Sequence, residues 1–300
     1  MDIDRHVKVD GRDVRLTNLD KVIWPDIGVT KAQLMEYHLK MSDLTLPYWR
    51  NRPMTITRYP KGVTETGFYQ KNCPEYAPEW VETVIIPGDD KETEYILVNN
   101  SATLIWMANQ SAIEFHPATY CDHAPKIPSF AVIDLDPTAP QGFDEAVEVA
   151  LYTKVILEQL KLRGYPKTSG ATGIHIYIPL QPSYTFSQTS RLVEFIGQLL
   201  INFYPKQVTN ERLIKNRTGV YIDHLQNLAN KTIAGVYSPR PLPGAPVSTP
   251  ITWEELPSVH PGDFIIENVP NRIQQQGDLF APVLTDLQNL SHILPMMNQI

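Results

Sequence analysis

The sequence predicts a mixed α/β fold, and three observations carry that expectation. Stretches 54–59, 94–98, 129–136, 174–180 and 220–223 have the composition and two-residue alternation of short strands. Residues 143–162 and 189–204 repeat apolar side chains at the spacing of amphipathic helices. From 129 to 223 the order strand–helix–strand–helix–strand places helices over one face of a mixed sheet.

Taken in chain order, residues 6–16 are strand-like. Thr30 suits the N-cap of a helix carrying Ala32, Leu34, Met35, Leu39 and Met41. Residues 103–110 are apolar and helical, leading to a strand at 113–116. The helix at 143–162 presents Val147, Ala150, Leu151, Ile156, Leu157 and Leu160, with Gly164 as its stop. Strands 129–136 and 174–180 run into prolines, where a ladder loses its donor. The proline-rich stretch 237–250 reads as an ordered strap, followed by a short helix at 252–256 and a helical segment at 284–297. No repeat or low-complexity tract divides the chain. A single domain over 1–300 is expected, with an N-terminal part (1–100), a catalytic sheet (101–240) and a C-terminal strap with helices (241–300).

Of the 300 residues, 42% are apolar and 20% charged, which suits a soluble globular protein with a substantial core. No apolar run is long enough to span a bilayer, and the charged N-terminus lacks the apolar segment of a secretory signal. Two cysteines, Cys73 and Cys121, form no disulfide framework, so a cytoplasmic location is expected. The net charge of −7 is unevenly spread: residues 1–72 carry +3 and residues 73–300 carry −10, yet 206–240 hold six basic against two acidic residues. Basic patches on an acidic body permit nucleic-acid binding without proving it.

The strongest chemical signal is the run Ala131, Val132, Ile133, Asp134, Leu135, Asp136, Pro137. Residues two apart in a strand share a face, so Asp134 and Asp136 point the same way. Paired carboxylates repel unless a cation neutralises them, and oxygen donors suit Mg²⁺ or Mn²⁺; two solvated strand-end aspartates are the plain alternative. Asp223, at the end of 220–223, can complete a three-aspartate site or simply occupy a turn. Residues 167–173 (KTSGATG) precede a strand and can admit an anion close to the backbone, although they are no Walker loop. There His175 and Tyr177 alternate away from Ile174, Ile176 and Ile178; a hairpin with a half-buried histidine is equally open. His116, Cys121, Asp122, His123 and Cys73 fit no standard zinc spacing. Lysines and arginines interleaved with aromatics around Trp24, Phe68 and Tyr69 suit base stacking beside phosphate contact.

The segments LTNLDKVIWPDIGVTK (16–31), FYQKN (68–72), IEFHP (113–117), VIDLDP (132–137), KTSGATGIHIYIPL (167–180) and YIDHLQN (221–227) occur together and in order. In that combination the chain resembles the polymerase domain of bacterial ATP-dependent DNA ligase D, within the archaeo-eukaryotic primase superfamily. The resemblance implies a primase-polymerase fold with an RRM-like mixed catalytic sheet and a packed N-terminal α/β part that binds DNA. It implies template-directed nucleotide addition that fills gaps and extends 3′ ends in non-homologous end-joining, by a two-metal mechanism with Mn²⁺ or Mg²⁺ and a preference for ribonucleotides. Asp134, Asp136 and Asp223 then hold two metal ions and are catalytic. His116, Ser169, His175, Arg217, Gln226, Lys231 and Arg240 contact the nucleotide. Asn18, Lys21 and Lys31 bind a DNA 5′-phosphate, Phe68 and Tyr69 stack on the template, and Arg58 and Lys71 contact its backbone. DNA with 5′-phosphorylated gaps, overhangs or breaks, NTP or dNTP, the Ku protein and a DNA ligase are the implied partners, with the ligase and phosphoesterase activities residing elsewhere. Relatives often carry lysine where this chain has Thr172, which shifts the load of gripping the triphosphate to Lys231 and Arg240. A DNA-end-bridging module with little catalysis and a metal-dependent nuclease are the alternatives.

Overall fold

The computed structural model of the chain describes residues 5–88 and 91–297. Contacts group it into two compact units, one from Met1–His123, Thr232–Ser248 and Phe264–Gly277, the other from Ala124–Lys231, Thr249–Asp263 and Asp278–Ile300. The chain thus passes between the units several times.

The first unit opens with a hairpin of β1 (Arg5–Val9) and β2 (Arg12–Leu16). Its turn residues Asp10 and Gly11 both have positive φ, 48° and 74°, the twist that a two-residue hairpin turn demands and that this pair tolerates. β3 (Val22–Trp24) and β4 (Val29–Thr30) lead into α1 (Lys31–Trp49). Thr30 caps α1 as expected: its hydroxyl accepts from Gln33 N, and the Gln33 side chain accepts from Thr30 N at 2.8 Å. The reciprocal pair satisfies two donors that the first turn leaves open.

β5 (Pro53–Arg58), β6 (Phe68–Gln70), β7 (Thr83–Ile86), β8 (Thr93–Leu97), α2 (Ser101–Asn109) and β9 (Ala112–Pro117) follow. β5 pairs with β9 along one side, while β8 and β6 share its other side and β7 lies beyond β8; every pair is antiparallel. The strand that carries His116 therefore belongs to the sheet of the first unit. In its core the Trp49 and Phe115 rings stack at 5.0 Å, and His38 meets Phe115 edge-on.

The second unit holds β10 (Phe130–Pro137), α3 (Phe143–Gln159), β11 (Tyr165–Thr168), β12 (Ile174–Pro179), α4 (Phe186–Phe203), β13 (Val208–Thr209) and β14 (Val220–Ile222). The strands lie in the order β11-β12-β10-β14-β13, antiparallel except for β13 beside β14. This is the predicted mixed sheet. α3 and α4 pack on β10 and on each other, and so cover one side of it.

Three expectations are corrected. Gly164 is not the stop of α3, which ends earlier at Gln159. A Cβ at Gly164 would lie 2.6 Å from both Ile176 Cγ2 and Leu157 Cδ1, so the glycine is a packing point. The helix expected at 284–297 is broken. α5 (Val269–Gln276) precedes two short turns, α6 (Pro282–Thr285) and α7 (Leu294–Met297). Between those turns Gln288 is drawn to the edge of β12, its N–H donating to Pro179 O at 3.0 Å and its carbonyl accepting from Gln181 N at 3.1 Å. The expected helix at 252–256 is a turn that runs into one 3₁₀ turn, Leu256–Ser258. Among the described residues no helix is long and apolar enough to cross a membrane.

Candidate active site

In the second unit, alternation along β10 sets Asp134 and Asp136 on the same face, as read from the sequence. Asp134 lies opposite His175 in the β10–β12 ladder, and Asp136 lies opposite Tyr221 in the β10–β14 ladder. Continuing the second register by one residue beyond Leu135 and Ile222 brings Asp223 opposite Asp134. Pairing thus brings His175 and the end of β14 up to the two aspartates of β10, although the three segments lie far apart in the chain. His175 Nε2 is 3.4 Å from Asp134 Oδ1, and Arg217 reaches Asp136 Oδ2 at 3.5 Å while its guanidinium lies 3.6 Å from the centre of the Tyr221 ring. Asp223 caps the 3₁₀ turn His224–Asn227 by accepting from Leu225 N at 3.0 Å. Burial pushes the Asp136 carboxyl above its ordinary range, Arg217 opposes that, and the Asp223 charge adds to it.

The stretch KTSGATG closes a β11–β12 hairpin, and the histidine that follows it is almost fully buried. Ser169 organises the loop, since its hydroxyl accepts from both Ala171 N and Gly173 N at 3.1 Å. Gly173 has no room for a side chain: a Cβ there would sit 2.6 Å from the Leu135 carbonyl oxygen. Thr172 is exposed at the tip. Lys231 is exposed and Gln226 half-buried. Two residues beyond the site reading also shape this face. Lys167, wholly buried, sets its Nζ 2.9 Å from His175 Nδ1. Asn227 clamps the 3₁₀ turn to β10 by exchanging hydrogen bonds with Val132 N (2.7 Å) and Val132 O (2.8 Å). Each belongs to a motif segment, but only strand pairing shows what each touches.

In the first unit, Glu114 is the hub of a second charged cluster. Arg240 Nε lies 2.9 Å from Glu114 Oε1, Tyr59 donates to Oε2 at 3.4 Å, and His116 Nε2 stands 4.0 Å away. Burial alone would raise the Glu114 carboxyl. The contact with the His116 ring and, after it, the charge of the Arg240 guanidinium reverse this and hold it at about 2. Burial and the Glu114 charge push the Tyr59 hydroxyl up to about 12.

Phe68 and Tyr69 are 45% and 55% exposed, an open aromatic pair on β6. Arg58 supports it from within the sheet: its guanidinium donates to Gln110 O (2.8 Å), Gln70 Oε1 (3.0 Å) and Tyr76 (2.8 Å) and lies 5.1 Å from the Phe68 ring centre. Lys71 stands 5.9 Å from the Tyr69 ring centre. Near the start of α1, the backbone joins Asn18, Lys21 and Lys31, with Lys21 N donating to Asn18 O and Lys31 N to Lys21 O. Lys31 turns its ammonium inward onto Thr17 Oγ1 (3.2 Å) and Asn109 O (3.1 Å), and Lys21 donates to Pro60 O.

Among the described residues no three His, Cys, Asp or Glu side chains converge as a ready metal-ligand set. The donor chemistry nevertheless fits a hard divalent cation. Asp134, Asp136 and Asp223 offer oxygen only, and Asp136 is held above its ordinary range by burial and by the charge of Asp223, a repulsion that a cation relieves.

A mixed five-stranded sheet with carboxylates, a histidine and an arginine on one face, beside a glycine-containing hairpin loop, fits a nucleotidyltransferase domain of the primase-polymerase kind. The chain belongs to the LigD primase-polymerase domain family, whose model matches residues 30–280. It is 38% identical to a bifunctional non-homologous end joining protein LigD of Bacillus subtilis over 300 residues, 98% of this chain and 48% of that protein. It is 34% identical to the multifunctional non-homologous end joining protein LigD of Mycolicibacterium smegmatis over 276 residues, 91% of this chain and 36% of that protein. The chain thus spans half or less of these relatives. Among solved structures, the polymerase domain of Mycobacterium tuberculosis Ligase D in complex with DNA matches with a TM-score of 0.86 at 30% identity, over 92% of this chain and 99% of that one.

Proposed function

We propose that this chain adds nucleotides to DNA 3′ ends under the direction of a template, filling gaps during end-joining of double-strand breaks, with ribonucleotides preferred. The observation that carries this reading is the face shared by Asp134, Asp136 and His175, with Asp223 brought up by the β14 register. The DNA complex of the M. tuberculosis polymerase domain supports DNA as the partner. Relatives named as end-joining proteins support a role in that process, in which Ku and a DNA ligase are the partners that the family resemblance implies.

The primer 3′-hydroxyl would lose its proton to solvent and attack the α-phosphorus, forming a new P–O bond as the bond to the bridging oxygen breaks and pyrophosphate departs. Asp134, Asp136 and Asp223 would hold two Mn²⁺ or Mg²⁺ ions, which supply charge stabilisation to the attacking and leaving oxygens. His175, the Ser169 loop, Gln226 and Lys231 would offer N–H and cationic contacts to the phosphates, and His116 and Arg240 are assigned the same role. Arg217, now on Asp136, is a further phosphate contact in this reading. Phe68 and Tyr69 would stack on template bases, with Arg58 and Lys71 as backbone-side supports. Asn18, Lys21 and Lys31 would take the 5′-phosphate.

The test is a 5′-phosphorylated gapped duplex incubated with Mn²⁺ and either NTPs or dNTPs. Extension that Asp134→Ala abolishes, faster with NTPs, is expected. Shortening of the strands would instead indicate a nuclease, and a mobility shift without either would indicate a bridging module.

A further inference from the structure

Lys167, His175 and Asp134 occupy one row across three adjacent strands, because Lys167 pairs with His175 between β11 and β12 and His175 pairs with Asp134 between β12 and β10. Lys167 and His175 are 0% and 5% exposed. Burying an ammonium is costly unless it is bonded. Here Nζ lies 2.9 Å from His175 Nδ1 and 5.8 Å from the centre of the Tyr177 ring, two residues along the same face. On the far side of the imidazole, Nε2 is 3.4 Å from Asp134 Oδ1.

With Lys167 as an ammonium, which has three donors and no lone pair, the contact to Nδ1 requires Nδ1 to accept. A neutral imidazole accepting at Nδ1 carries its proton on Nε2. We infer that Lys167 is a positioning residue that locks His175 as the Nε2–H tautomer, aiming a single proton donor at the Asp134 carboxylate and at whatever oxygen binds beside it. The charge at Lys167 stays behind the histidine and reaches the open face through it. Metal-binding carboxylates elsewhere are commonly oriented by such outer partners, whose loss costs roughly 10–100-fold in affinity or activity. The arrangement also places a cation beneath the site of a chain that has threonine at 172.

The direct test is a long-range ¹H–¹⁵N correlation spectrum of the metal-free protein, labelled at histidine, with His175 assigned by His175→Gln. The wild-type ring is expected to show an unprotonated Nδ1 and a protonated Nε2. In Lys167→Met the unprotonated Nδ1 signal should be lost, whereas in Asp134→Asn it should persist. A protonated Nδ1 in the wild type overturns the inference. So does an unchanged ring in Lys167→Met, or loss of the signal in Asp134→Asn, since either makes Asp134 the group that sets the ring. Should Lys167→Met fail to fold, the wild-type and Asp134→Asn spectra still decide. A kinetic arm rests on the nucleotidyl-transfer reading: Lys167→Met should raise the KM for NTP roughly tenfold or more with a smaller change in kcat. A protein with the expected ring but no extension activity would refute that functional reading and leave the role of Lys167 standing; a KM unchanged in folded Lys167→Met would remove its bearing on the nucleotide.

Discussion

Glu114→Gln should weaken the first unit by an amount that depends on pH. Glu114 is only 8% exposed, and burial would raise its carboxyl; the His116 ring and the Arg240 guanidinium outweigh that and hold it at about 2, against an ordinary 4.5. A depressed acid stabilises the fold above its unfolded value and loses that contribution as pH falls through the folded one. The interval corresponds to about 3 kcal/mol above pH 5, with about 1.4 kcal/mol remaining at pH 3 and nothing left well below pH 2. A glutamine side chain keeps the volume but not the charge, so the wild-type-minus-variant difference in urea unfolding should follow this curve. Of the five tryptophans, Trp24, Trp49, Trp80 and Trp106 lie in the first unit, so fluorescence reports mainly on it. A difference that is flat between pH 7 and pH 3, or below about 1 kcal/mol at pH 7, would refute the claim that charge attraction holds this cluster.

Three other perturbations have defined outcomes. Asp136→Asn should abolish nucleotide addition yet leave the metal-free melting temperature equal or higher, because burial and Asp223 already disfavour the charged form; a clear fall in melting temperature contradicts this. His38 is fully buried and its pKa is lowered by burial to about 3, so the unfolded chain takes up a proton below 6.5 that the fold refuses. Wild-type stability should drop by about 2 kcal/mol between pH 7.5 and pH 5 through this group, and His38→Gln should flatten that slope; an unaltered slope counts against it. Gly173→Ala should cost about 1–3 kcal/mol and raise the KM for nucleotide, since its Cβ meets the Leu135 carbonyl oxygen at 2.6 Å; thermal unfolding and kinetics matching the wild type would show that the loop yields freely.

The sequence shows Asp134 and Asp136 on one face because strand alternation is local, and it shows the Thr30 cap because the reciprocal Thr30–Gln33 bond spans three residues. It does not show Gln288 at the edge of β12, where two long-range backbone bonds break an otherwise helical stretch. Gly164 resembles a helix stop in sequence, but its lack of a side chain is required by Ile176 and Leu157, which only packing brings there. Arg58 and Lys71 are both expected at the DNA backbone, yet the first has its donors turned onto Gln110, Gln70 and Tyr76.

By itself the sequence determined the main strands and helices of the second unit, the shared face of the two β10 aspartates and, through six ordered motifs, the family resemblance that the family model bears out. Tertiary structure alone decided what surrounds those aspartates. The β10–β12 and β10–β14 registers bring His175 and Asp223 to Asp134, and the β11–β12 register sets Lys167 behind the histidine. The reason is one of range: alternation and capping act over two to four residues, whereas the β10–β12 register joins Asp134 to His175 across all of α3 and β11. Nothing in either segment read alone specifies which residue its partner strand will place opposite.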